Sequence, residues 1–247
     1  MSSRRELFLE EIGLTPLWRL RAGEGAVAGV LPDAAIEAAE PAAETAAEPA
    51  AGDRAARIAR MDWPGLKAAV AACSACGLRK TCTQTVFGVG DEQADWLLVG
   101  EAPGAEEDAR GEPFVGQAGK LLDAMLAGIG LKRNDDVYIA NVLKCRPPGN
   151  RNPEPLEVAQ CAPHLLRQVE LIQPRIILAM GRFACQALLQ TDASIASLRG
   201  RLHRYHGVPL IVTYHPAYLL RTLADKAKAW EDLCFARRTM ADLRAQT

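Results

Sequence analysis

The sequence predicts an α/β domain in which a mainly parallel sheet lies between helices. Four short apolar runs punctuate residues 57–247, and a longer amphipathic stretch follows each of them. Strands that alternate with helices imply right-handed crossovers and parallel pairing. The 247 residues, 49% hydrophobic and 24% charged, are a globular composition that excludes a disulfide miniprotein, a collagen-like chain and a wholly disordered one.

In chain order, WLLVG at 96–100 reads as the first buried strand, followed by a helix at 117–128. VYIAN at 137–141 is the second strand and 154–172 its helix; RIILAM at 175–180 is the third, with a helix at 181–189. PLIVTY at 209–214 is the fourth strand, and the last helix spans 223–245. Ligands of such sheets bind at the carboxyl ends of the strands. Each strand here runs into a segment of chemical character: Gly100-Glu-Ala-Pro-Gly104, Asn141, Gly181-Arg182 and His215-Pro-Ala217. Singly each is weak, since a glycine-proline loop is usually a turn; together they converge on one sheet edge.

Composition divides the chain into three parts. Residues 1–21 carry a net charge of +1, residues 22–56 carry −6, and residues 57–247 carry +4, which sums to the overall −1. The middle part holds 15 alanines, seven acidic residues and three prolines and no aromatic side chain, so it offers little to bury and reads as a tether of about 30 to 35 Å. The first part, SRRELFLEEIGLTPLWRLR, is rich in leucine yet too short to fold alone, so either the main domain or another protein covers it. No apolar run approaches the roughly 18 residues of a membrane span, and acidic residues stand where a secretory signal would be apolar. The expectation is a cytoplasmic protein whose seven cysteines are not paired as structural disulfides.

Their spacing favours metal ligation. Cys73 and Cys76 form a C-x2-C pair, and Cys145 and Cys161 follow with 15 residues between them. Four thiolates suit either tetrahedral zinc or a 4Fe-4S cluster, and spacing alone leaves that choice open, as it leaves open whether Cys82 replaces one of the four. Cys185 and Cys234 fall within predicted helices and read as core.

CSACGLRKTC, FGVGDEQADWLLVGEAPGAEEDARGEPFVGQAGKLLDAML, VYIANVLKCRPPGNRNP and TYHPAYLLR, in this order, resemble the family 4 uracil-DNA glycosylases over residues 68–245. The resemblance implies a three-layer αβα sandwich around a four-stranded mainly parallel sheet. It also implies one 4Fe-4S cluster on Cys73, Cys76, Cys145 and Cys161, and a monomeric, nucleoid-associated enzyme that removes uracil from DNA in base excision repair. By similarity Phe114 is the stacking platform for a flipped base, beside the loop residues Ala102, Pro103 and Gly104. Asn141, donor and acceptor at once, matches the N3-H and O4 edge of uracil and mismatches cytosine. His215, assisted by backbone amides of loop 101–104, is the donor for the charge that develops on O2, with the protonation state of its ring left open. Glu101 positions the water or stabilises the sugar cation. The better-known branch of the superfamily has aspartate where this chain has Ala102, as family 4 members tend to have a small residue there.

Tyr218, Leu219 and Arg221, in the segment after the histidine, have the composition of a minor-groove wedge with a phosphate contact, and Lys144, Arg146 and Arg182 are further candidate phosphate ligands. No lysine sits in the GEAPG or HPAYLL segments, so nothing marks a lyase. A uracil- or abasic-DNA-binding protein without turnover, or a replication adaptor with a vestigial glycosylase fold, are the alternatives; RPPGNRNP lacks the basic, histidine-bearing loop of a DNA-crosslinking relative. The N-terminal SRRELFLEEIGLTPLWRLR is similar to the N-terminal peptide of the psi subunit of bacterial DNA polymerase III, which implies the chi subunit as a partner.

Overall fold

Runs of four or five consecutive apolar residues are stable only where both faces of a strand are covered. In the computed structural model, which describes residues 51–246, these runs form the middle of the sheet. Helices α1 (Ala51–Ile58) and α2 (Trp63–Ala71) lead into a 3-10 turn at Gly77–Lys80. Strands β1 (Val89–Gly90) and β2 (Trp96–Gly100) follow, then α3 (Ala105–Arg110), α4 (Gln117–Gly128) and β3 (Val137–Asn141). The remainder is α5 (Pro155–Ile172), β4 (Ile176–Met180), α6 (Arg182–Leu189), α7 (Ile195–Leu198), β5 (His203–Tyr205), β6 (Val208–Thr213), α8 (Pro216–Leu219) and α9 (Lys226–Ala245).

The sheet has six strands in the order β1-β3-β2-β4-β6-β5, where four were expected. The central four are the expected ones and are parallel, while β1 and β5 add short antiparallel edges. Alternation along β2 sorts the layers. Leu97 and Val99 face a core shared with Leu165 and Val169 of α5 and with Ala184 and Leu188 of α6. Trp96 and Leu98 face Leu122 and Leu126 of α4 and Leu233 and Met240 of α9. Each fully buried leucine in these two layers contributes about 1.5 to 3 kcal/mol relative to exposure, so the sandwich is held from both sides.

One boundary departs from the sequence reading. Helix α1 starts at Ala51, inside the expected tether 22–56, and Arg54 on it donates to Gln160 O of α5 at 2.9 Å, so the packed unit begins ahead of residue 57. The expected partner-binding peptide at residues 1–21 lies outside the described residues. No helix among those described is long and apolar enough to cross a membrane.

Candidate active site and cysteine nest

Parallel pairing sets Gly100 of β2 opposite Asn141 of β3, at the carboxyl ends of both strands. A β-carbon on Gly100 would lie 2.4 Å from Asn141 Oδ1 and 2.6 Å from Phe114 Cζ, so glycine is what allows these two side chains to meet over the strand end. Gly181, at φ +90, plays the same part for His215: a β-carbon there would lie 2.8 Å from His215 Cβ. One cleft is lined by Glu101, Ala102, Pro103, Gly104, Phe114, Asn141, His215, Tyr218 and Arg221. The structure thus brings together both catalytic candidates, all five substrate-binding candidates and two of the three DNA-binding candidates.

Phe114 has φ 55, a left-handed conformation that a bulky residue adopts only when its surroundings impose it. The constraints are visible. Arg133 donates to Pro113 O at 3.0 Å and to Phe114 O at 2.9 Å, and Glu107 Oε1 accepts from Val115 N at 3.0 Å and Gly116 N at 3.2 Å. Helix α4 approaches so closely that a β-carbon on Gly119 would lie 1.8 Å from Phe114 O. Held in this way, the Phe114 ring stacks on the His215 imidazole, with centroids 5.3 Å apart and an interplanar angle of 29°.

His215 caps α8, and its Nδ1 accepts from Ala217 N at 3.1 Å. A ring nitrogen that accepts carries no proton, so the neutral tautomer has its proton on Nε2. Desolvation, reinforced by Arg221 and opposed by Glu107, holds the imidazole down to about 4. The protonation state left open by the sequence is therefore neutral at pH 7, with an Nε2-H donor. Glu101 moves the other way: burial pushes its carboxyl up to about 7, with Arg182 opposing. Asn141 is 2% exposed, and its Oδ1 is buried with no hydrogen-bond partner among the described residues. A buried acceptor left open costs about 1 to 3 kcal/mol unless a ligand fills it.

Three sequence expectations are corrected. Leu219, expected in the wedge, is 1% exposed and packs into the interior, and Leu220, at 42%, is the exposed leucine of that segment. Lys144 is 2% exposed, with Nζ donating to Asn141 O at 2.8 Å and Gln168 Oε1 at 2.6 Å, so it braces the pocket and does not reach phosphate. Gly104 N donates to Glu107 Oε2 at 3.1 Å and Pro103 has no N-H, which leaves only Glu101 and Ala102 as amide donors in loop 101–104. Glu107 itself, which ties that loop to the Phe114 loop and lines the cleft, escaped the sequence reading. Its signal was the G-x-x-E spacing at a helix start, where a carboxylate at the third position reaches back to the cap amide. The 147–152 loop also lines the cleft, through Pro147, Asn150, Arg151 and Asn152.

On the other side of the Asn141–Cys145 segment, Cys73, Cys76, Cys145 and Cys161 line one small cavity together with Leu78, Leu143, Lys144 and His164. Cys82 is not among the lining residues; its Sγ lies 3.9 Å from Arg79 O. Cys185 is buried with its thiol toward Ala179 O, as expected of core. Burial is the main cause that raises the Cys76 and Cys145 thiols and pushes Cys161 up to about 11, and the neighbouring cysteines raise each of them further. Three thiols of this kind ionise together only around a cation. Lys144 adds a fully buried ammonium near Cys161, and its backbone N donates to Cys161 Sγ at 3.3 Å. The donor set and the local positive charge fit a metal group with thiolate ligands, which carries net negative charge.

A model of the uracil DNA glycosylase superfamily matches residues 87–234. The chain is 49% identical over 159 residues to the type-4 uracil-DNA glycosylase of Archaeoglobus fulgidus, an alignment that spans 61% of this chain and 79% of that protein. It is 44% identical over 158 residues to the Thermotoga maritima type-4 enzyme, covering 63% of this chain and 82% of the relative. Against the Pyrobaculum aerophilum type-4 enzyme it is 40% identical over 181 residues, 70% of this chain and 92% of that protein. With a cleft of this geometry and relatives aligned over most of their own length, the chain belongs to the type-4 uracil-DNA glycosylases of the uracil DNA glycosylase superfamily.

Proposed function

We propose that this protein excises uracil from DNA by hydrolysing the N-glycosidic bond, leaving an abasic site for repair. The observation that carries the reading is the open Oδ1 of Asn141 at the strand end, beside Phe114 and the neutral His215. Uracil stacked on Phe114 presents N3-H to Asn141 Oδ1 and O4 to its amide N-H, whereas cytosine presents the reverse pattern. As the bond between C1′ and N1 breaks, its electron pair moves onto the base, and His215 Nε2-H donates to O2, where negative charge gathers. Water attacks C1′ and its proton passes to Glu101, whose carboxylate also faces the sugar cation. A pKa of about 7 makes it a suitable base at neutral pH. Lys144, the lysine nearest the end of β3, is spent on Asn141 O and Gln168, which supports hydrolysis over Schiff-base chemistry.

Tyr218 and Arg221 at the rim, with exposed Leu220 replacing Leu219 as the wedge, support a DNA-binding face. Cys73, Cys76, Cys145 and Cys161 would hold the 4Fe-4S cluster that the family resemblance implies, and the bound group would cross-link the segment after α2, the turn after β3 and α5. The test is release of free uracil from a single-stranded oligonucleotide with one central uracil, by anaerobically purified protein, with a cytosine oligonucleotide and His215→Ala as controls. Release that depends on uracil and on His215 is expected; binding without release would favour a non-catalytic uracil- or abasic-DNA-binding protein.

Residues 1–21, by their resemblance to the psi peptide, are assigned to binding the chi subunit of DNA polymerase III. Capture of chi by the full chain is expected to vanish when residues 1–21 are deleted, with uracil release unchanged. Equal capture by both forms would remove the assignment.

A further inference from the structure

The cysteine nest has a second layer that begins in the segment expected to be tether. Arg54, on α1, points its guanidinium at three groups: Gln160 O at 2.9 Å, Cys73 Sγ at 3.5 Å and His164 Nε2 at 2.9 Å. A guanidinium only donates, so His164 Nε2 must accept, and the neutral ring then carries its proton on Nδ1. The ring is 2% exposed, and Nδ1 has no partner among the described residues. This N-H is therefore a buried donor lacking an acceptor, on a residue that lines the same cavity as the four cysteines. Of the other polar side chains on residues that line the cavity, those of Lys144 and Arg79 can only donate, and Nδ1-H finds no acceptor among the described residues.

We infer that Arg54 and His164 form a hydrogen-bonding relay to the metal group: Arg54 donates to the Cys73 thiolate and sets the His164 tautomer, so that Nδ1-H donates to a sulfur of the bound cluster. The inference rests on the 4Fe-4S reading of the nest. Two consequences follow. Hydrogen bonds to sulfur stabilise the more negative oxidation state, so the pair raises the reduction potential of the cluster. Arg54 and Cys73 also both line an outer groove with Arg57, Met61 and Ser74, so the guanidinium holds that ligand where it meets the groove.

The experiment uses the full chain purified without oxygen and compares wild type with Arg54→Met, His164→Leu and His164→Asn. Asparagine keeps an N-H close to the Nδ1 position and leucine does not, so the histidine pair separates loss of the donor from loss of packing. The readouts are iron per protein, the midpoint potential of the one-electron couple, and the rate at which excess chelator removes iron. Arg54→Met and His164→Leu are expected to shift the potential to more negative values and to speed iron loss by about tenfold, the lower end of what outer-layer partners contribute to metal affinity. His164→Asn is expected to stay near wild type. Iron-replete wild type with an unchanged potential and unchanged iron loss in both Arg54→Met and His164→Leu would overturn the relay alone. Wild-type protein purified without iron would overturn the cluster reading and the relay with it.

Discussion

The base cleft and the cysteine nest share the Asn141–Cys145 segment but are built on opposite principles. The cleft is complete as the chain folds. Its glycines clear the space, Glu107 and Arg133 lock the Phe114 loop, and its open groups, Asn141 Oδ1 and the His215 Nε2-H, are neutral. The nest is incomplete by itself: burial makes Cys76, Cys145 and Cys161 resist ionisation, and Lys144 and Arg54 place positive charge beside the cysteines. Preorganised neutral dipoles suit a site that must release its product, and a deficit of negative charge suits one that keeps its ligand. Lys144 joins the two, with Nζ on Asn141 O and its backbone N on Cys161 Sγ.

The largest expected effect falls on the cleft alone. His215→Ala should lower the single-turnover rate of uracil release by about 100- to 1,000-fold, the usual cost of one donor to a developing anion, with the unfolding midpoint falling by only the few degrees that loss of a helix cap costs. Cys145→Ser should do the reverse, with loss of iron and a fall in unfolding midpoint of about 6 to 12 °C, the shift that about 3 kcal/mol produces in a domain of this size. If Cys145→Ser protein retained its midpoint without iron, the nest would not be structural.

Gly100→Ala sharpens the comparison because it intrudes on the cleft without touching a thiol. Its β-carbon would meet both Asn141 and Phe114, so calorimetry should show about 1 to 3 kcal/mol of destabilisation while full iron content is kept, and uracil release should fall with it.

The smallest effect is a pH dependence. With Glu101 at about 7 and His215 at about 4, kcat/KM should rise as Glu101 ionises through pH 7 and then level off, and Glu101→Gln should flatten that step. The stability sign follows from the same shift. A carboxyl held above its ordinary 4.5 keeps its proton longer when folded, so its ionisation works against the fold. Glu101→Gln should therefore be more stable than wild type at pH 8, with the difference fading toward pH 4.5. A flat profile in wild type would remove Glu101 from the proton-accepting role.

Much of the molecule was legible in advance, for identifiable reasons. Central strands buried on both faces leave unbroken apolar runs, so β2, β3, β4 and β6 could be read within a residue of their ends. The edge strands β1 and β5 could not, because two or three half-buried residues leave no period to detect. Arg54 was hidden by its setting, an alanine-rich stretch in which one arginine resembles a solvated charge. The choice between Leu219 and Leu220 was equally closed to sequence, since α8 is a single turn and its inward face depends on what packs against it.

By itself the sequence determined the parallel sheet and the convergence of Glu101, Asn141 and His215 on its carboxyl edge, because strand burial and residue chemistry are written locally. The choice among the cysteines beside the Cys73-Cys76 pair was left open by spacing. Only the tertiary structure decided which polar atoms stay open and which are spent. Asn141 Oδ1 is left without a partner, the Gly104 amide is given to Glu107, Lys144 turns inward, and Ala217 and Arg54 each set a histidine tautomer. Hydrogen-bond satisfaction and desolvation depend on neighbours distant in the chain, and those neighbours exist only once the sheet and its helices have packed.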